Sequence, residues 1–263
     1  MLSPIKLIST DFDGTLHSGF EIPPIPKEAE AAIQKLQQQG AVWVINTGRD
    51  LDSLIQGLAE ANLSIRPDYV VVVEREIYQL EGSDFQSLVE WNQSCTAAHE
   101  ELFATLRKDL PKVVDWVRGN YGAKVYEDPY SPFCLIADNL PDADEIHEYL
   151  TVYSKGVPDL TIVRNDIYSR FSHRAYNKGT SLSEIGRRLK IGPDATLAAG
   201  DHFNDLPMLS SEFARWLVAP SNAIPVVKHH VARQGGYVSE KSHGYAVAEG
   251  VERAGLEGFL SNR

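Results

Sequence analysis

The chain has 263 residues, 43% hydrophobic and 23% charged, with 25 Lys and Arg against 36 Asp and Glu for a formal net charge of −11. This acidic balance argues against nucleic acid and anionic membrane surfaces as partners, since the overall field repels both. No apolar run is long enough to span a bilayer, the first residues, MLSPIKLIST, show no signal-peptide pattern, and two cysteines (Cys95 and Cys134) are too few for a disulfide framework, so a cytoplasmic protein is expected.

The opening apolar stretch, Ile5 to Ile8 around Lys6, runs into STDFDGTLHS, where Asp11 and Asp13 stand two residues apart ahead of Gly14 and Thr15. In an extended chain such residues share a face, so the two carboxylates repel unless a positive group lies between them. A bound metal ion is the usual answer. Residues 26–40 predict a helix with Pro26 near its start and Gly40 at its stop. A buried strand over 41–49, a helix over 50–63 capped by Asp50, and a buried strand over 68–74 follow. Strand, helix, strand, helix, strand predicts right-handed parallel crossovers and a Rossmann-like, doubly wound α/β sheet.

Past residue 80 the rhythm changes. Residues 84–110 predict one long helix, and VVDWVRG (113–119) with AKVYED (123–128) a hairpin turning through Gly119 to Gly122. A strand over 133–139, a helix over 142–154 and two strands over 160–173 follow. This α+β stretch, 81–174, is expected to be a domain inserted into an α/β core made of 1–80 and 175–263. From Lys178 the first rhythm returns: a helix over 178–192, a buried strand over 196–201 ending in Asp201, a short helix over 206–212, a strand over 215–220 and a helical stretch over 223–231.

Open α/β sheets bind ligands beyond the carboxyl ends of their strands. Asp11, Asp13, Thr47 and Asp201 all close strands, and Lys178 opens a helix. Each alone is a common turn or cap residue. Their convergence on one sheet edge is what points to chemistry.

In order and spacing, DFDGTL (11–16), TGR (47–49), NKG (177–179) and GDHFND (200–205) resemble the four motifs of the haloacid dehalogenase-like (HAD) phosphohydrolases. The insert between the second and third motifs resembles the type IIB branch, which holds the Cof-like sugar phosphatases, the sucrose-phosphate phosphatases and the eukaryotic-type phosphomannomutases. The insert's element order looks closer to the sucrose-phosphatase cap than to the larger Cof cap. The resemblance implies a Mg²⁺-dependent phosphatase acting on small phosphorylated metabolites, sugar phosphates foremost, through an aspartyl-phosphate. It makes Asp11 the nucleophile and Asp13 the general acid and then base. It assigns Mg²⁺ to the Asp11 carboxylate, the Asp13 backbone carbonyl and Asp201. Thr47 and the Gly48 backbone would hold phosphoryl oxygens, with Asn204 touching the phosphate or a metal-bound water. Lys178 would stabilise the transferring group and restrain Asp11, with Asp205 orienting Lys178 or metal waters from behind.

A phosphosugar mutase of the same fold and a non-catalytic phosphometabolite-binding protein remain as alternatives. One departure from the pattern stands out. Cof-like sequences carry Asn-Gly just after the third strand and the sucrose-phosphatase branch carries Gly-Thr-Glu-Ile, whereas VVVEREIY (71–78) places Glu74, Arg75 and Glu76 there. Within the insert, Arg118, Asn120 and Asn165 lead as substrate contacts, because a hairpin turn and strand ends are expected to carry them.

Overall fold

A computed structural model of the protein describes residues 5–256. The chain divides into two compact units, one formed up to Leu88 and from Lys178 onward, the other by Val89–Asn177. The first opens with β1 (Leu7–Thr10), α1 (Lys27–Gln38), β2 (Val42–Asn46), α2 (Leu51–Ala61) and β3 (Tyr69–Val72). β1 and β3 are both buried throughout; β3 accordingly reads as a continuous apolar run, whereas β1 also buries the hydroxyl residues Ser9 and Thr10. α1 buries Ala29, Ile33 and Leu36, spaced to share one helical face. α2 starts at Asp50, whose carboxylate accepts the Ser53 N–H at 2.8 Å. Two strands that the sequence did not signal come next, β4 (Glu76–Glu81) and β5 (Asp84–Ser87), in an antiparallel run from β3. Residues 81–88, expected to open the insert, therefore belong to the first unit.

The second unit holds α3 (Val89–Leu106), α4 (Leu110–Asn120), β6 (Lys124–Asp128), β7 (Ser131–Ile136), α5 (Leu140–Lys155), β8 (Leu160–Asn165) and β9 (Tyr168–His173). The single helix expected over 84–110 is thus a strand and a helix, with α4 starting at its end. Pro111 sits in the first turn of α4, where a missing N–H costs nothing but a continuous helix would be broken. The hairpin expected from residue 113 is also corrected, since 113–119 is helical. Val113 and Val117, four apart, are both buried on one face of α4, and that spacing outweighed their β-branched preference. The four strands pair antiparallel in the order β6-β7-β9-β8. Val117, Phe133, Leu135, Ile146, Leu150 and Phe171 anchor the core between sheet and helices. Arg118 donates to the Val125 carbonyl at 3.3 Å and Asn120 to the Trp116 carbonyl at 2.7 Å. Both lie on α4 rather than on a hairpin turn, so the geometry that made them leading substrate contacts is absent.

The chain returns to the first unit with α6 (Lys178–Leu189), β10 (Thr196–Ala199), β11 (Trp216–Ala219), α7 (Pro225–Arg233), β12 (Tyr237–Val238) and α8 (His243–Leu256). The short helix expected over 206–212 is a run of turns after a 3-10 segment at Phe203–Asp205. The sheet order is β12-β11-β10-β1-β2-β3-β4-β5, parallel from β12 to β3. Successive strands are added to one side of β1 and then to the other. β1 is therefore the switch point, where α/β sheets open a crevice at the strands' carboxyl ends.

Candidate active site

Asp11 is the first residue beyond β1, and Lys178 is the first of α6. The Lys178 ammonium lies 2.7 Å from Asp11 Oδ1 and 2.6 Å from Asp205 Oδ1, with no part of Lys178 or Asp205 exposed. The other Asp205 oxygen accepts the Asp201 and His202 backbone N–H groups at 2.8 and 2.9 Å. Asp205 is thereby committed on both oxygens, which makes it a holder of Lys178 and of the 201–205 turn. Carboxylate oxygens of Asp11, Asp201 and Asp205 lie within 4.8 Å of one another. Thr15 donates its hydroxyl to Asp201 Oδ1 at 2.6 Å and fixes that side chain. Gly14 lets the turn pass this close. Its φ is +80°, and a Cβ there would sit 2.5 Å from Asp201 Oδ2.

Crowding sets the electrostatics. Burial pushes the Asp11 carboxyl well above its usual range; Lys178 opposes that shift, while Asp205 and Asp201 add to it. Burial and then Asp205 raise Asp201 to about 7. Burial disfavours the Lys178 ammonium, but Asp11 and Asp205 outweigh it and the amine is held protonated. Three acids facing one ammonium leave a surplus of negative charge in a low-dielectric crevice. A hard divalent cation fits that surplus, because the donors are all oxygens. The buried Asn204 Oδ1, which has no hydrogen-bond partner among the described residues, is a further acceptor beside Asp205.

The Asp13 carboxylate does not join this cluster. It takes a two-pronged bond from Arg49, Nε at 2.7 Å and Nη2 at 2.6 Å, with His17 Nδ1 at 3.6 Å. Arg49 and His17 each lie 4.8 Å from the Phe12 ring, the guanidinium over it and the imidazole stacked on it. A third Arg49 nitrogen donates to the Ser53 carbonyl at 3.1 Å. Gly57 of α2 makes room for it, since a Cβ there would fall 2.5 Å from Arg49 Nη1. Although burial opposes it, hydrogen bonding from His17 and Arg49 lowers Asp13 to about 2.

The remaining expected residues surround the end of β2. Thr47 is buried, and its hydroxyl oxygen accepts the Arg49 N–H at 3.2 Å, leaving the hydroxyl proton to donate. Gly48 is exposed, so its backbone can be reached. Asn204 donates to Glu74 Oε1 at 3.2 Å. Sequence motifs located Asp11, Asp201, Asp205 and Lys178, which the fold brings together. They gave no role to Thr15, Arg49, His17 or Glu74, whose importance depends on side-chain direction. The arginine of TGR and the break in pattern at Glu74 were the available signals.

The model of the haloacid dehalogenase-like hydrolase family matches residues 8–74 and 121–248, well over half of the chain, and the protein belongs to that family. It is 24% identical over 235 residues to the mannosylfructose-phosphate phosphatase of Agrobacterium fabrum, with 85% of this chain and 86% of that protein covered. It is 28% identical over 264 residues to the glucosylglycerol-phosphate synthase of Pseudomonas anguilliseptica; that match takes in 97% of this chain but only 30% of the synthase. Among solved structures, the sucrose-phosphatase of Synechocystis sp. PCC6803 in complex with sucrose and phosphate shares the fold with a TM-score of 0.71 at 22% identity, covering 94% of this chain and 97% of that one. A haloacid dehalogenase-like hydrolase from B. subtilis does so with a TM-score of 0.65 at 19% identity, covering 94% and 99%.

Proposed function

We propose that the protein is a Mg²⁺-dependent phosphatase of small phosphomonoesters, sugar phosphates foremost, that works through an aspartyl-phosphate on Asp11. The observation that carries this reading is the buried Lys178 clamped between Asp11 and Asp205 beside Asp201. Mannosylfructose-phosphate phosphatase among the relatives supports the phosphosugar class. The Asp11 and Asp201 carboxylates and the Asp13 backbone carbonyl would hold Mg²⁺, which supplies charge neutralisation for a dianionic phosphoryl group.

Lys178 fixes the orientation of the Asp11 carboxylate, and an Asp11 oxygen attacks phosphorus as the P–O bond to the alcohol breaks. The bond's electron pair leaves on the alcohol oxygen, which takes a proton from Asp13. Water then attacks phosphorus and gives a proton back to Asp13; phosphate departs and the Asp11 carboxylate is restored. Paired with Arg49 and His17, Asp13 rests ionised, and carrying the proton it donates or takes up requires it to loosen from the Arg49 fork. The Thr47 hydroxyl, the Gly48 N–H, Asn204 and Lys178 hold the phosphoryl oxygens. The second unit is assigned substrate selection. Among the described residues no helix is long and apolar enough to cross a membrane, and a cytoplasmic site of action accords with this chemistry.

The test is release of p-nitrophenol from p-nitrophenyl phosphate, with Mg²⁺ and with EDTA, by the native protein and by Asp11→Asn. Turnover that needs the cation and falls by at least about a thousandfold in the variant is expected. A variant that kept most of its rate would remove Asp11 as the nucleophile.

A further inference from the structure

Just after β3 the backbone takes a costly path. Val73 and Glu74 have φ of 51° and 64°, left-handed values that a β-branched valine strongly resists. The Val73 N–H bonds to the Arg49 carbonyl at 2.8 Å and the Glu74 N–H to the Thr47 carbonyl at 2.9 Å. The turn is thus stitched to residues 47–49, and it delivers an acidic side chain over them. Glu74 Oε1 accepts from Asn204 Nδ2 at 3.2 Å, and a Cβ on Gly48 would lie 3.0 Å from that same oxygen. The residue is 4% exposed, and its charge is among those that raise the Lys178 pKa. A carboxylate is therefore built in beside Gly48, Asn204 and Lys178.

We infer that Glu74 is an affinity-setting residue of the phosphoryl cradle, a resident anion that engages Asn204 and repels phosphate, so that the site holds inorganic phosphate weakly. The inference rests on the proposed function for the location of the cradle. Its physical content is electrostatic: a buried negative charge next to a dianion, in a crevice where screening is weak, disfavours the dianion. Strain in the backbone at Val73 and Glu74 is then part of how the charge is held in place.

The experiment is titration calorimetry of inorganic phosphate, in Mg²⁺, into the native protein, Glu74→Gln and Glu74→Gly. Glu74→Gln keeps an oxygen to accept from Asn204 but removes the charge, and its phosphate Kd is expected to fall about tenfold. Glu74→Gly removes the charge and the unfavourable left-handed side chain together, so it decides the matter if the glutamine variant does not fold, and it too is expected to tighten. An unchanged or weaker Kd in both variants, tightening in the glycine variant alone beside a folded glutamine variant, or no phosphate binding by any of the three would overturn the inference. Binding needs no turnover. Tightening in a protein that hydrolyses nothing would therefore sink the proposed function and keep Glu74, whereas hydrolysis with an unchanged Kd would do the reverse.

Discussion

Lys178 is the residue on which the site's charge balance turns. It is fully buried with ion pairs of 2.7 and 2.6 Å to two carboxylates, themselves buried. Removing one partner of such a set leaves uncompensated charge in the interior, which costs about 3–5 kcal/mol in comparable cases. Lys178→Met keeps much of the side chain's bulk and length but drops the ammonium. Loss of activity and a destabilisation of that order are expected, read by urea unfolding in the absence of divalent cation. Adding Asp11→Asn should recover part of the stability, because one of the two stranded acids becomes neutral. If the double variant were less stable than Lys178→Met alone, Lys178 would not be balancing Asp11. The sequence placed the two residues at a strand end and a helix start, where α/β sheets gather such groups, and the resemblance to the haloacid dehalogenase-like motifs implied that they meet. It could not reveal that Asp13 turns toward Arg49, since nothing in a residue order states where a side chain points.

At the scale of elements, α1 shows how an acid can tie one helix to the rest of the unit. Glu30 lies on the inward face of α1 at 5% exposure, paired with Lys27 at 2.7 Å and accepting from both the backbone N–H and the hydroxyl of Ser64 beyond α2. Burial works against the carboxylate, yet Lys27 and Ser64 outweigh it and lower its pKa. A group with a depressed folded-state pKa contributes stability that is present above its unfolded value, about 4.3, and lost as pH falls through the folded value. The gap in unfolding free energy between the native protein and Glu30→Gln, read by urea unfolding, should therefore be widest near pH 6–7, about 1 kcal/mol for one hydrogen bond, and shrink as pH falls below about 4.3 and through the folded value. A gap that stayed constant from neutral pH to about pH 3 would show that the charge contributes nothing. Elements such as α1, β2, α2 and β3 were legible because each carries one clear period or a dense apolar run. β4 was not, because EIYQLE mixes charged and half-buried positions at a sheet flank. α4 was misread because Val113, Val114 and Val117 favour strands individually, and only their spacing and the position of Pro111 speak for a helix.

For the whole molecule, the site joins distant parts of the chain. Asp11 and Lys178 are 167 residues apart, and Thr15 and Asp201 are 186 apart. An unfolded chain cannot assemble such donors, so a cation held by Asp11 and Asp201 stabilises the native state by close to its full binding free energy. That amounts to about 2.7 kcal/mol when the free cation is a hundred times its Kd. The protein as a whole carries a net charge of −11, and the crowded acids add local repulsion that Lys178 offsets in part. Mg²⁺ should therefore raise the melting temperature by about 5 °C or more at saturating concentration, and EDTA should return it to the starting value. Asp201→Asn removes one donor and one charge at once. Without cation it should melt no lower than the native protein, because repulsion has been relieved, and with Mg²⁺ it should lose most of the rise. The two melting temperatures thus cross in order as the cation is added, a pattern that a cation acting on the general acidic surface would not produce. An equal rise in both proteins would place the stabilising cation somewhere other than between Asp11 and Asp201.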